Sequence, residues 1–200
     1  MNDEQHKRIK GTIIIIVGIL LLLYPLFTDL YTSTLQDNRW TKYRKGELDQ
    51  NVQQGLDALS ANSQQETTEF TEALLKIPAI NLSAVVAKGT SEEILNTSLG
   101  WYEESALPGQ GNTAIAGHRS MYGGIFRDLA KLKPGDMVYL EFNGYVYRYR
   151  VAKLHKVEAT DWSCIEDCGY TALTLTTCVK GDAEHRQVVR AVFCDKEVKG

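Results

Sequence analysis

The chain has 200 residues and carries 22 Lys and Arg against 25 Asp and Glu, for a formal charge of −3. Once a leading apolar segment and its polar sequel are set aside, that length allows one domain around a single core. Charge this evenly spread makes no basic field for holding nucleic acid, so no nucleic-acid partner is expected.

Residues 1–11 are polar and include Lys7, Arg8 and Lys10. Thr12 to Phe27 then form an unbroken apolar run. At about 1.5 Å per residue the run falls slightly short of a ~30 Å hydrocarbon core, so residues 12–31 are expected to make one transmembrane anchor. No Ala-x-Ala-like cleavage site follows, which favours an uncleaved anchor over a removed signal peptide. The basic residues nearest the run favour a single-pass cell-membrane protein with its amino terminus inside and the following domain outside, touching membrane lipid only through this helix.

Residues 32–71 are polar and contain no proline. They read as an extracellular stalk, partly helical, because Leu48, Val52, Leu56 and Leu59 fall on one helical face. From residue 72 to 200 the pattern changes to short runs of β-branched and aromatic residues between turn residues, the mark of a compact β domain. Strands are expected near 73–78, 82–87, 112–117, 137–142, 145–154, 171–177 and 187–194. Asn143-Gly144 suits a two-residue hairpin turn between the fourth and fifth of these. Short helices are expected at Ser91–Asn96 and Ile125–Leu132, packed outside the strands.

The chemistry-bearing side chains in this domain are few: His118, His155 and His185, and Cys164, Cys168, Cys178 and Cys194. His155, in an alternating run, and His185, in a turn, read as solvent-facing. His118 ends the small apolar strand Thr113–Gly117 and opens a loop, a common way to present a side chain at a cleft rim. Cys178 ends Leu173-Thr174-Leu175-Thr176-Thr177 just before a turn, and Arg186 opens the next strand. Taken singly, the three are more often structural than catalytic. Cys164 and Cys168 are too poorly supported by neighbouring His or Cys for a zinc site, and read as a local disulfide or two quiet thiols.

Several segments in order resemble the sortase family. They are Lys76-Ile77-Pro78-Ala79-Ile80, Leu107-Pro108-Gly109 with Gly111-Asn112, Ala116-Gly117-His118-Arg119, and Thr174-Leu175-Thr176-Thr177-Cys178, with Arg186 eight positions on. The resemblance spans roughly Leu74 to Phe193. It implies a Gram-positive envelope enzyme, mainly β, with an eight-stranded β-barrel, short helices and an amino-terminal transmembrane helix and stalk.

The resemblance further implies a cysteine transpeptidase. Cys178 would attack the threonine carbonyl of an LPxTG-like sorting signal, giving a thioester that a cell-wall amine then takes. His118 would protonate the departing amine and deprotonate the incoming one. Arg186 would donate to the oxyanion, where one well-placed donor is worth ~3 kcal/mol. Thr176, Thr177, Ala116 and Trp162 would bind substrate, with the segment from His155 to Tyr170 covering it. The implied partners are surface proteins with a carboxy-terminal sorting signal and a peptidoglycan-precursor amine acceptor; no cofactor and no metal are implied.

A thiol of reference pKa about 8.5 and an imidazole near 6.5 are both mostly neutral at pH 7, so only a minor population would be active. Pilus-assembling sortases carry a lid with an Asp-Pro-aromatic motif and often a carboxy-terminal span, and neither pattern is found here. A class A or class D-like protein-anchoring enzyme is therefore expected over a pilin-polymerising class C enzyme. The remaining rivals are a peptidoglycan cross-linking cysteine enzyme, whose Ser-His-Gly-Cys signature is absent, and a non-enzymatic, membrane-tethered wall-binding β module.

Overall fold

In the computed structural model residues 72–199 are described. The expected tail, span and stalk at 1–71, with the helical face at Leu48 to Leu59, lie outside the described residues. Within 72–199 no helix is long and apolar enough to cross a membrane.

Eight strands form the domain: β1 (Ala73–Ile77), β2 (Leu82–Lys88), β3 (Leu99–Trp101), β4 (Asn112–Ala116), β5 (Met137–Phe142), β6 (Tyr145–Glu158), β7 (Ala172–Val179) and β8 (Asp182–Val198). They close into a barrel in the order β1-β2-β3-β4-β7-β8-β6-β5, with β5 returning to β1. The β2–β3 and β4–β7 pairs are parallel and the other six antiparallel. The expected eight-stranded, mainly β fold is borne out. Closure removes the exposed edges that an open sheet of this size would present.

Local sequence explains much of the path. Asn143 and Gly144 have φ of +47° and +74°, as the tight β5–β6 hairpin requires. The helical turn α1 (Glu92–Leu95) starts at Ser91, whose hydroxyl caps the Ile94 amide, and carries Glu92 and Glu93 in its first turn. β6 and β8 pair from Tyr145 to Glu158, with register shifts at Arg148/Tyr149 and Val151/Lys153 that bend this long ladder.

Inward side chains from every strand fill the barrel, among them Leu75, Val86, Leu99, Ile115, Leu140, Tyr149, Leu173, Leu175 and Val189. Ile125–Leu132 departs from expectation. Only Leu129–Lys131 is helical, as a short 3-10 turn, and Phe126 and Leu129 are fully buried in the barrel core. The segment plugs the barrel rather than packing outside it. Gly123-Gly124 before it and Pro134 after it confine the segment, and the burial of Phe126 and Leu129 rather than helix propensity sets its path.

Candidate active site

Residues directly opposite in a ladder point to the same face, and alternate residues share that face. Ile115, Leu175 and Val189 point into the barrel, so the alternate set on β4, β7 and β8 points outward. That outer set is Asn112, Ala114 and Ala116 on β4, then Thr174, Thr176 and Cys178 on β7, then Arg190, Val188 and Arg186 on β8. Ala116 pairs with Thr176, and Thr176 with Val188. Two residues further along the parallel strands stand His118 and Cys178, and Cys178 pairs directly with Arg186. Adjacent strands lie about 4.8 Å apart. Cys178 thus stands directly beside Arg186, at the end of the barrel where β4 runs on to His118.

The Cys178 residue is exposed, and all four cysteines are free thiols; Cys164 is buried and Cys168 half-buried. Of the two alternatives for Cys164 and Cys168, separate thiols hold. Among the described residues the Arg186 guanidinium meets only the carbonyls of Ala183 and His185, each at 3.4 Å from Nη1, and no carboxylate. It retains donors for a further oxygen. His118 is half-buried, and its Nε2 is enclosed without a hydrogen-bond partner. Burial pushes its pKa below the ordinary histidine value, partly offset by the Glu92 carboxylate.

A two-point clasp joins the strand ends that carry His118 and Cys178. The Gly117 amide donates to the Thr176 carbonyl at 3.1 Å, and the Thr177 hydroxyl donates to the Gly117 carbonyl at 2.7 Å. Thr177 is 3% exposed and has the inward parity of Leu173 and Leu175. It does not line the outer groove, contrary to expectation, because alternation along β7 turns it to the other face. Ala116 and Thr176 do have outward parity, at 7% and 4% exposure.

The loop expected to cover the substrate is residues 159–171, shorter than expected because β6 runs on to Glu158. Cys164 and Ile165 pack on Ala114 and Val188 as a second small core outside the barrel, with Tyr102 and Val157 against it. Asn112 Nδ2 donates to the carbonyls of Cys164 and Glu166 at 3.1 and 2.7 Å, and Arg190 Nη2 donates to the Cys164 carbonyl at 2.9 Å. His155, expected to face solvent, lies half-buried on the covered face with Nδ1 enclosed. His185 pairs instead with Asp182, Nδ1 to Oδ2 at 2.9 Å.

Trp162 is 58% exposed and meets Tyr102 edge-on at 6.1 Å. Tyr102 is the residue the sequence did not disclose. Its hydroxyl lies 3.1 Å from Thr176 Oγ1, and it interacts electrostatically with Cys164, Arg186 and Cys178. Burial raises its phenol pKa, against the Thr176 hydrogen bond. It follows the three-residue β3, too short to show any period.

A sequence model described as the sortase domain matches residues 75–193. The chain is a sortase. It is 30% identical over 200 residues to sortase A of Bacillus anthracis, covering 94% of this chain and 95% of that one. Sortase D of Bacillus subtilis is 25% identical over 92% of this chain and 96% of its own. The structure of sortase E from Streptomyces avermitilis superposes with a TM-score of 0.57 and 35% identity, covering 63% of this chain and 89% of that one. The sortase is thus a cysteine transpeptidase, and its A and D relatives fit the expected subtype. Its family consists of membrane-associated cell-wall enzymes that join proteins bearing sorting signals to wall amines.

Proposed function

We propose that Cys178 is the nucleophile, His118 the proton carrier and Arg186 the oxyanion donor of this sortase, acting on an LPxTG-like signal. The observation that supports the reading is the direct pairing of the exposed Cys178 with Arg186, at the barrel end where β4 leads into His118. The thiolate sulfur attacks the threonine carbonyl carbon, and the charge that develops on oxygen meets the free donors of Arg186. As the carbon–nitrogen bond breaks, imidazolium His118 gives its proton to the departing amine. The incoming wall amine then attacks the thioester, His118 takes its proton, and the thiolate leaves. Ala116, Thr176, Tyr102 and Trp162 line the groove that holds the signal.

Residues 12–31 would anchor this domain to the membrane through lipid contact, with 1–11 inside, 32–71 as stalk and 72–200 as the exported catalytic unit. The apolar run and its basic flank support that arrangement.

The test is to incubate the full chain with an LPxTG peptide and an amine. Cys178→Ala should remove both cleavage and transfer, and Arg186→Ala should lower kcat by about 10²–10³-fold, the range for losing one oxyanion donor. Undiminished cleavage by Cys178→Ala would defeat the assignment.

A further inference from the structure

Tyr122 occupies a backbone position that its own side chain makes unfavourable. Met121 to Gly124 form a tight turn closed by the Gly124 amide on the Met121 carbonyl at 2.8 Å. The φ values of +49° at Tyr122 and +79° at Gly123 are those of a type I′ turn, whose first central position suits Asn, Asp or Gly. A bulky aromatic residue in the left-handed region is an outlier.

The surroundings hold the turn in place. Gly124 has φ +54°, and a Cβ there would sit 2.4 Å from the Arg119 carbonyl oxygen. Arg127 donates from Nη2 to the Gly123 carbonyl at 3.2 Å and from its amide to the Gly124 carbonyl at 2.7 Å. Phe126, rooted in the barrel core, donates its amide to the His118 carbonyl at 2.9 Å. Strain of this kind persists only where neighbours over-determine it, and it gathers at functional sites.

What the strained turn fixes is an aromatic contact. The Tyr122 ring lies 5.6 Å from the His118 imidazole, tilted by 39°. Tyr122 is 36% exposed and packs against the imidazole, whose Nε2 is enclosed and has no partner. The charged group that acts on this imidazole is Glu92, the first residue of α1; Arg119 follows it in the chain, and Cys178 and Arg186 lie at the same end of the barrel on β7 and β8.

We propose that Tyr122 is a positioning residue for His118: its ring, held out by the strained turn, sets the plane of the imidazole beside Cys178 and keeps bulk water from Nε2. The proposal rests on His118 being the proton carrier. A shielded imidazole exchanges its proton with the amine of the substrate rather than with solvent. An Asn would make the better turn but would leave the imidazole uncovered.

The experiment compares Tyr122→Asn, Tyr122→Phe and His118→Gln in the full chain. Tyr122→Asn relieves the turn, so Tm should rise by about 2 °C. Its kcat should nevertheless fall roughly fivefold or more, with KM within about twofold, because the loss is one of alignment. The His118 ring titration followed by NMR should move up by roughly half a pH unit as water reaches the imidazole. Tyr122→Phe keeps the ring and should restore both kcat and titration. Unchanged kcat and titration in Tyr122→Asn, beside an inactive His118→Gln, would overturn this proposal alone. Full activity in His118→Gln would remove the proton-carrier reading and the proposal with it.

Discussion

Asn112→Ala tests how the wall formed by residues 159–171 is held. Asn112 is 1% exposed and makes three side-chain hydrogen bonds: two donated to the carbonyls of Cys164 and Glu166, and one accepted from the Thr174 hydroxyl at 2.6 Å. Truncation leaves the Cys164 carbonyl with its Arg190 bond but orphans the Glu166 carbonyl and the fully buried Thr174 hydroxyl. Orphaning the buried Thr174 hydroxyl costs about 1–3 kcal/mol, and the Glu166 carbonyl, on an exposed residue that can turn to water, adds less, so we expect a loss of about 3 kcal/mol. For a domain of this size that lowers Tm by roughly 10 °C. Lifting the wall also removes Ile165 from Val188 and Trp162 from Tyr102. Peptide KM should therefore rise by about tenfold, equivalent to ~1.4 kcal/mol, with a smaller change in kcat. Asn112→Asp should be worse than Ala near neutral pH, since it turns a carboxylate oxygen toward two carbonyls. Thermal denaturation and peptide cleavage read both quantities. A Tm within 2 °C of the parent (~0.5 kcal/mol) together with an unchanged KM would refute this account of the wall.

Two further substitutions probe the barrel. Gly117→Ala puts a Cβ 2.5 Å from Leu99 Cδ2 and 2.7 Å from Phe126 Cδ2; overpacking there should cost about 1–3 kcal/mol and displace His118, seen as a lower urea midpoint and reduced kcat. Glu141, 4% exposed, bonds Lys76 and has Lys199 Nζ at 2.8 Å from Oε2. Burial pushes its carboxyl pKa up, but Lys199 and Lys76 together outweigh burial and leave it below the ordinary glutamate value. A depressed folded pKa means that stability is present above about pH 4.5 and lost as pH falls through the folded value. Glu141→Gln should therefore lose about 1–3 kcal/mol at pH 7 in urea titration and flatten the acid limb below pH ~4.5; an unaltered acid limb would count against the pairing.

How much of this was legible in the sequence depends on whether the signal is local. The β5–β6 hairpin was readable because Asn143-Gly144 both ends one strand and dictates the turn. β3 was not, since Leu99–Trp101 is three residues long and pairs on one side in parallel with β2, far from any hairpin. The lengths of β6 and β8 were underestimated because their extensions, at His155 to Glu158, Asp182 to Arg186 and Asp195 to Val198, are mostly polar and read as loop. Thr176 and Thr177 looked alike as hydroxyls beside a thiol. Only strand parity, fixed by Leu173 and Leu175 filling the barrel, separates the groove residue from the clasp. The pairing of Arg186 with Cys178 is likewise a matter of register, and nothing in composition or spacing predicts it without a family pattern.

The two cores explain how one small domain combines fixed geometry with an adaptable groove. Cys178 and Arg186 sit on strands whose inward neighbours Leu175 and Val189 are fully buried in the barrel, and His118 follows a strand anchored by Ile115. Moving any of them means disturbing the main core. Trp162 and Ile165 instead belong to a wall held by four buried residues and a few hydrogen bonds from Asn112 and Arg190. Regions with so few buried contacts open at a fraction of the global unfolding free energy. A peptide can therefore displace the wall while the strands that carry the thiol, the imidazole and the guanidinium keep their register. On the proposed assignment the reacting groups gain their precision from the barrel, and the peptide site gains its tolerance from the loop.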